Sequence, residues 1–145
     1  MTCRPWVVLA LWWPALCGAV DVSAPTQREL HSAECVAALE ISTDELARQV
    51  QAGRVELRPL LRQRLDAGAA FIGSAYLDGD RDEARAHGLL VAALKAQAAL
   101  PQAELAASQA RCAQEGARLL AASNFIGRAV VSQLAKKRMQ KLLGE

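Results

Sequence analysis

The chain of 145 residues is predicted to form an all-α protein, a small antiparallel bundle of four to five helices. Apolar residues recur at three- and four-residue steps through most of the sequence, which is the spacing of helices with one buried face. No segment shows a sustained alternation of apolar and polar residues, and β-branched residues are sparse, so strands are not expected. Two cysteines outside the apolar N-terminus are predicted to add one crosslink to this bundle.

Residues 1–19 are predicted to be a cleaved secretory signal peptide. Arg4 is the only charge in this segment, and Pro14 interrupts its apolar core. A membrane-spanning helix needs roughly 20 apolar residues, whereas a basic start, a short apolar core and small residues at the exit are typical of a signal peptide. Cleavage is expected after Ala19, with Ala24 as the alternative position. The other interpretation is an uncleaved segment that anchors the chain in the membrane.

Residues 20–145 are then expected to be a single exported domain, either periplasmic or extracellular. Lysine and arginine number 17 and aspartate and glutamate 15 in the whole chain, so the net charge is small. All three tryptophans lie in the predicted signal, which leaves one tyrosine and two phenylalanines. Without strong positive charge or aromatic stacking platforms, no nucleic-acid partner is expected.

The first helix has clear signals at both ends. Residues 26–29 (Thr-Gln-Arg-Glu) form a capping box, in which the threonine and glutamate side chains satisfy each other's backbone N–H groups. Gly53 is placed to end the helix in a left-handed cap. The predicted buried face contains Leu30, Cys35, Leu39, Ser42, Leu46 and Val50.

The second helix is predicted to begin near Leu57, because Pro59 is tolerated in a first helical turn, and to end at Gly79. Its apolar stripe comprises Leu57, Leu61, Leu65, Gly68, Ile72 and Tyr76.

The third helix is predicted to be capped by Asp80, with Glu83 completing a second capping box. From Gly88 to Leu100 only a lysine and a glutamine are polar. This helix is therefore predicted to be the most enclosed of the bundle.

Pro101 is predicted to open the fourth helix, and a fifth helix, or a continuation bent near Ser123 and Asn124, runs to Leu143. The fourth helix presents Leu105, Gln109, Cys112, Gly116 and Leu119, and the last presents Ile126, Val130, Leu134, Met139 and Leu142. Glycine inside a helix costs about 1 kcal/mol of stability relative to alanine. Four such glycines are therefore expected to have a structural reason, namely that they permit close approach between helices. They are Gly68, Gly73, Gly88 and Gly116.

Cys35 and Cys112 are predicted to form a disulfide, because an even number of cysteines in an exported chain is usually paired; two buried thiols are the alternative. His31, Glu34 and Cys35 share one helical face and could present three metal ligands. However, Cys35 has a crosslinking partner, and no second cluster of cysteine and histidine completes a zinc site. Neither a metal nor a cofactor is therefore expected.

The last helix carries a basic amphipathic surface made of Arg128, Lys136, Lys137, Arg138 and Lys141. This surface could contact an anionic membrane surface or an acidic protein. The plainer interpretation is a solvated face whose cations stabilise the helix C-terminus. A second basic ridge comprises Arg54, Arg58, Arg62 and Arg64. Contact between the two basic stretches would favour an anionic partner.

No catalytic residues are predicted: no serine lies in a Gly-x-Ser-x-Gly turn, no thiol is spare, and no glycine-rich phosphate loop is present. The expected function is an exported binding or accessory protein that acts through a protein partner, as immunity proteins do. The alternative is a small exported helical enzyme, similar to the exported chorismate mutases, with a charged pocket between helices. That pocket would gather Arg62, Arg85, Glu115 and Arg118.

Overall fold

The structure, a computed structural model, describes residues 23–79 and 82–144. Within these ranges the chain forms five α-helices and no strand, which confirms the all-α prediction. None of the described helices is both long enough and apolar enough to cross a bilayer. The predicted signal peptide lies outside the described residues. The helices are α1 Gln27–Gln51, α2 Arg58–Leu77, α3 Glu83–Ala98, α4 Gln102–Ala122 and α5 Phe125–Leu143, and a 3-10 turn at Val55–Leu57 precedes α2.

Most helix ends follow the sequence signals. Thr26 caps α1 in a reciprocal capping box with Glu29, and Gly53 follows α1 with a φ of +102°. Asn124 caps α5, where its side chain accepts a hydrogen bond from the Gly127 N–H at 2.8 Å. Each cap satisfies a backbone group that has no partner within its own helix.

The start of α3 differs from the prediction. The cap is Asp82, whose carboxylate accepts a hydrogen bond from the Arg85 N–H at 3.0 Å, and Asp80 lies outside the described residues. Because an arginine rather than a glutamate stands three residues after Asp82, only one half of a capping box forms.

Consecutive helices reverse direction, so the described chain runs up, down, up, down and up. The antiparallel pair α1 and α2 forms the centre of the bundle. Helix α4 packs against both members of this pair, while α3 packs mainly against α1 and α5 mainly against α2. Helices α3 and α5 therefore flank the central pair separately.

The buried side chains fall into two clusters. The first, which we call the disulfide core, contains Cys35, Ala38, Leu39, Ala67, Phe71 and Cys112. The second, the leucine core, contains Leu46, Ala47, Val50, Leu61, Leu65 and Ala135. Because α1 and α2 contribute to both clusters, this pair ties together the two ends of the bundle.

Close helix approach occurs at one of the four predicted glycines. A Cβ on Gly116 of α4 would lie 2.6 Å from the carbonyl oxygen of Ala67 and 2.7 Å from its Cβ. At Gly68 and Gly73 a Cβ would meet its nearest neighbour at ordinary contact distance, and at Gly88 it would meet nothing within 4 Å. The prediction is therefore confirmed at Gly116 and wrong at Gly88.

Helix α3 is not the most enclosed helix, and that prediction is wrong. Only Ala93 and Gln97 are buried along it, whereas α1 buries residues along most of its length. Since α3 packs mainly against α1, its opposite side faces solvent, including Val91. The many alanines of α3 make it apolar in composition, but they are small enough to be exposed at little cost.

Helix α5 turns a different face to the bundle than the sequence predicts. Ile126, Val130 and Leu134 are exposed, and Val131 and Ala135 are buried in their place. The first half of α5 is apolar on several sides, so its periodicity does not fix the buried face. Further along, the predicted Met139 and Leu142 do pack against the leucine core.

Candidate functional site

The predicted disulfide is present between α1 and α4. The Sγ atoms of Cys35 and Cys112 are 2.07 Å apart, and the bond closes a loop of 77 residues. Both cysteines are fully buried in the disulfide core. The bond therefore fixes how α4 lies against α1.

Two polar side chains flank the disulfide, and together the four residues form what we call the His31 cluster: His31, Cys35, Cys112 and Glu115. The Nε2 atom of His31 lies 3.0 and 2.9 Å from the two carboxylate oxygens of Glu115. The same nitrogen lies 3.9 Å from the Sγ of Cys35. Glu34, which the sequence groups with His31, is exposed and does not join the cluster.

The His31 cluster follows from helix geometry. His31 lies one turn before Cys35 on α1, and Glu115 lies one turn after Cys112 on α4. In antiparallel helices joined at the two cysteines, these positions face each other. The pairing of Glu115 with His31 was not predicted from the sequence. It follows from the predicted disulfide and the antiparallel arrangement, because together they place position 115 opposite position 31.

A larger feature is an open apolar groove that runs along the α1–α2 pair between α3 and α5. It consists of two adjoining cavities of about 350 and 340 Å³, which share Val36, Ile72 and Leu90. Helices α1 and α2 supply its floor, and α3 and α5 supply its two walls. Large apolar side chains along it remain in water: Ile72 is 55% exposed and Leu134 is 44% exposed.

The groove spans α1 from Glu29 to Thr43. At 1.5 Å per residue this distance is about 21 Å, or about four turns of an α-helix. The end beside the start of α3 is acidic, because Glu29, Asp82 and Glu83 line it. Hydrogen bonds from Thr26, followed by one from Arg85, hold the pKa of Glu29 below its ordinary value. The Glu29 carboxylate at this end is therefore ionised at neutral pH, and it pairs with Arg85 at 3.0 Å.

The opposite end of the groove carries part of the predicted basic surface of α5. Arg138 pairs with Glu40 of α1 at 2.7 Å, and both residues line the groove. Lys137 and Lys141 are exposed, and at 100° per residue they lie on the same side of α5 as Leu134. Apart from the Arg85–Glu29 and Arg138–Glu40 ion pairs, Asp82 and Glu83 therefore lie at one end of the groove, and Lys137 and Lys141 lie beside the other.

The other predicted cations lie elsewhere. The guanidinium of Arg128 donates to the Ser123 carbonyl oxygen. Lys136 lies on the side of α5 that carries Ser132, away from the groove. Arg62 reaches that side from α2, donating to the Ser132 carbonyl and hydroxyl oxygens at 2.9 Å. The basic stretch of α2 and the basic stretch of α5 therefore lie next to each other where these two helices pack together.

Much of the positive charge on the second basic ridge is neutralised. Arg62 pairs with Asp66 at 3.0 Å, and Arg54 pairs with Glu56 at 3.0 Å. Arg64 lines the groove and keeps its charge, because its guanidinium donates to a neutral group, the Gln109 carbonyl oxygen of α4, at 3.2 Å. The surface where the two basic stretches meet therefore carries less net positive charge than the number of arginines and lysines in the sequence suggests.

The four residues of the predicted enzyme pocket do not converge. Arg62 lies between α2 and α5, Arg85 pairs with Glu29 at the end of the groove, and Glu115 pairs with His31. Arg118 is exposed on α4. The predicted set therefore forms no common charged pocket.

No protein-family model matches the chain, and neither a curated protein nor a solved structure matches it. Inferences about function consequently rest on the groove, its charged ends and the His31 cluster.

Proposed function

We propose that this chain is an exported, non-catalytic binding protein whose groove receives one amphipathic helix of a partner protein. The groove carries this proposal, because it leaves branched and aromatic side chains in water along a path about four helical turns long. Grooves with apolar floors and such lengths commonly receive the apolar face of a helix. Burial of apolar surface would supply most of the affinity.

The charges at the two ends of the groove select a direction for the bound helix. Helices often carry acidic residues in their first turn and basic residues in their last turn, because these charges complement the macrodipole. The N-terminus of the partner helix would lie near Lys137 and Lys141, and its C-terminus near Asp82 and Glu83. The bound helix would then run antiparallel to both α3 and α5, which are the walls of the groove.

Two features support export. A disulfide persists in oxidising compartments such as the periplasm or the extracellular space. The N-terminal sequence also has the composition of a secretory signal. The partner would accordingly be a protein that the chain meets after leaving the cytosol.

Site-specific photocrosslinking in the producing cells tests the proposal. A photoreactive phenylalanine analogue is placed at Leu134 in the groove or, as a control, at Val55, which is 61% exposed and lies outside the groove. Mass spectrometry of the adducts then identifies the crosslinked peptide. The expected result is an adduct at Leu134 alone, with a partner segment that has helical apolar periodicity.

A synthetic peptide of the crosslinked segment allows the affinity to be measured with matched variants. Ile72→Glu places a carboxylate in the groove, and Val55→Glu makes the same change at a similarly exposed site outside it. We expect Ile72→Glu to weaken binding by tenfold or more, because burying an unpaired charge costs more than about 1.4 kcal/mol. Val55→Glu should leave the affinity unchanged.

Three outcomes contradict the proposal. Equal crosslinking from Leu134 and Val55 would show that the groove has no selectivity. Adducts with lipid would favour the membrane-surface alternative, and adducts with a second copy of this chain would identify self-association instead.

A further inference from the structure

The His31 cluster offers a chemistry that neither the disulfide nor the groove uses. Its side chains supply two sulfurs, one imidazole nitrogen and one carboxylate, which is a donor set that suits a tetrahedral zinc ion. In the oxidised protein the two sulfurs are bonded to each other. Reduction of that bond would release both of them as ligands.

We propose that the reduced protein binds one Zn²⁺ ion at the His31 cluster, through Cys35, Cys112, His31 and Glu115. The same four side chains would then join α1 to α4 in either redox state, by a covalent bond when oxidised and by the metal when reduced. This site is independent of the groove and of the partner proposed for it.

The placement of the ligand atoms supports the proposal. One ligand atom each of His31, Cys35 and Glu115 lies within 4.8 Å of the other two. At zinc–ligand distances of about 2.0–2.3 Å, the ligand atoms of a tetrahedral site lie about 3.3–3.8 Å apart. The observed separation of 3.9 Å between His31 Nε2 and Cys35 Sγ is close to that range. The nitrogen-to-carboxylate distance of 2.9 Å needs a small expansion.

The arrangement of the donors on the helices also suits a metal. Each helix supplies two of them one turn apart, at positions 31 and 35 on α1 and at positions 112 and 115 on α4. Pairs of ligands at such spacings on facing helices are how helix bundles build metal sites in their cores. Because the helices are already packed together, binding would need side-chain rotation rather than refolding.

Solvent reaches the cluster from one side. Cys35 and Cys112 are buried, whereas the His31 and Glu115 side chains are 43% and 37% exposed. The pair of half-exposed ligands therefore forms the path by which an ion enters, and the sulfurs lie at its inner end.

Zinc binding would follow reduction of the disulfide, in two separate steps. An external dithiol reduces the Cys35–Cys112 bond by thiol–disulfide exchange: the disulfide gains two electrons and two protons, and the dithiol becomes a disulfide. Zn²⁺ then binds both sulfurs as thiolates and releases their two protons to solvent. Thiol–disulfide exchange with an external disulfide, which takes up the two electrons and becomes a dithiol, would re-form the Cys35–Cys112 bond and expel the ion.

The test uses the full chain in oxidised and reduced forms. Reduction with a water-soluble phosphine, which is converted to its oxide, is followed by anaerobic removal of the reagent and titration with Co²⁺ as a spectroscopic probe. We expect the reduced protein to bind one Co²⁺ with thiolate charge-transfer bands and tetrahedral ligand-field bands, which Zn²⁺ then displaces. The oxidised protein should show neither set of bands.

Variants identify the ligands. His31→Gln and Glu115→Gln should each weaken binding of Zn²⁺ by about tenfold or more, since even outer-shell partners of a metal site are worth that much. Glu34→Gln, an exposed acid beside Cys35, is the matched control and should bind as the wild type does. If His31→Gln and Glu115→Gln both bind normally, the thiols alone hold the ion and the proposed site is wrong.

Folding of the reduced protein gives a second measurement. Circular dichroism should show that Zn²⁺ raises the thermal midpoint of the reduced protein and leaves that of the oxidised protein unchanged, because a ligand that binds only the native state stabilises it. Absence of Co²⁺ binding, or reduced protein that neither folds nor gains stability with Zn²⁺, would overturn the proposal.

Discussion

The closest contact between helices, at Gly116, should be intolerant of a single added methyl group. In Gly116→Ala the new Cβ would lie 2.6 Å from the Ala67 carbonyl oxygen, whereas ordinary contact begins at 3.4 Å. Helix α4 would therefore have to move away from α2 by about 0.8 Å, since backbone atoms cannot rotate out of the way. The disulfide at Cys112, one turn earlier, opposes that movement.

The expected net effect of Gly116→Ala is a loss of about 2 kcal/mol in the free energy of unfolding. Overpacking of a tight contact costs about 1–3 kcal/mol, and the backbone clash places this case near the upper end. Replacing a helical glycine with alanine returns about 1 kcal/mol. The corresponding fall in the thermal midpoint is roughly 6–8 °C for a domain of this size.

Urea unfolding followed by far-ultraviolet circular dichroism measures this effect, and Gly88→Ala is the matched control. A Cβ at Gly88 would meet nothing within 4 Å, so that variant should gain up to about 1 kcal/mol. The m-values should be unchanged in both variants. If Gly116→Ala were as stable as Gly88→Ala with its disulfide intact, the tight packing of α4 on α2 would be refuted.

Three further predictions concern the core, the crosslink and the pH dependence of stability. Replacing Cys35 and Cys112 together with serine should lower the free energy of unfolding by about 4.5 kcal/mol, the chain-entropy value for a loop of 77 residues, as urea unfolding would show. Leu61→Ala, at a side chain that is fully buried, should cost about 2–5 kcal/mol in the same assay. Because the folded-state pKa of Glu29 is lowered from an ordinary value of 4.5, its contribution to stability is present above that value and is lost as the pH falls through the lowered pKa. Thr26→Ala removes the hydroxyl of the capping box but keeps the Thr26 N–H that donates to the Glu29 carboxylate, so nuclear magnetic resonance titration should show a Glu29 pKa that rises only part of the way toward its ordinary value.

The prediction for Leu61 has a matched control within the chain. Leu77→Ala, at a side chain that is 76% exposed, should change stability by less than about 0.5 kcal/mol. A loss comparable to that of Leu61→Ala would show that burial does not govern the leucine core. A Glu29 titration that is unchanged by Thr26→Ala would refute a contribution of the Thr26 hydroxyl to the lowered Glu29 pKa.

Local signals in the sequence predicted the helices and most of their ends. The capping box at Thr26, the left-handed turn at Gly53 and the break at Asn124 each act within a few residues, so they can be read without knowledge of the fold. The disulfide was also predictable, because the number of cysteines left after the N-terminus allows only one pairing.

The buried faces of α3 and α5 were harder to predict. Alanine-rich and uniformly apolar stretches give no unique face, so the choice depends on the neighbouring helix. Val131 is buried and Val130 is exposed, and it is Val131 that lies near α2, where a Cβ on Gly73 would meet its Cγ2 at 3.6 Å. Such complementarity between distant segments is not contained in the periodicity of either helix.

One part of the candidate site could have been predicted from the sequence, and another part could not. The pairing of Glu115 with His31 could have been deduced, because the predicted disulfide fixes the register of α1 against α4. The groove could not be deduced, because it arises where α3 and α5 flank the central pair without closing over it. Only the three-dimensional arrangement shows that Leu134 and Ile72 lie along one surface.

The Arg85 side chain has a consequence for maturation. Besides Glu29, its guanidinium binds the carbonyl oxygens of Ser23 at 2.9 Å and Ala24 at 3.2 Å. Signal removal after Ala19 would preserve both contacts and fasten the new N-terminus to α3, whereas processing five residues later would delete them. If the predicted signal is removed, the position of the cut would determine whether the remaining chain begins with a tethered or an untethered end.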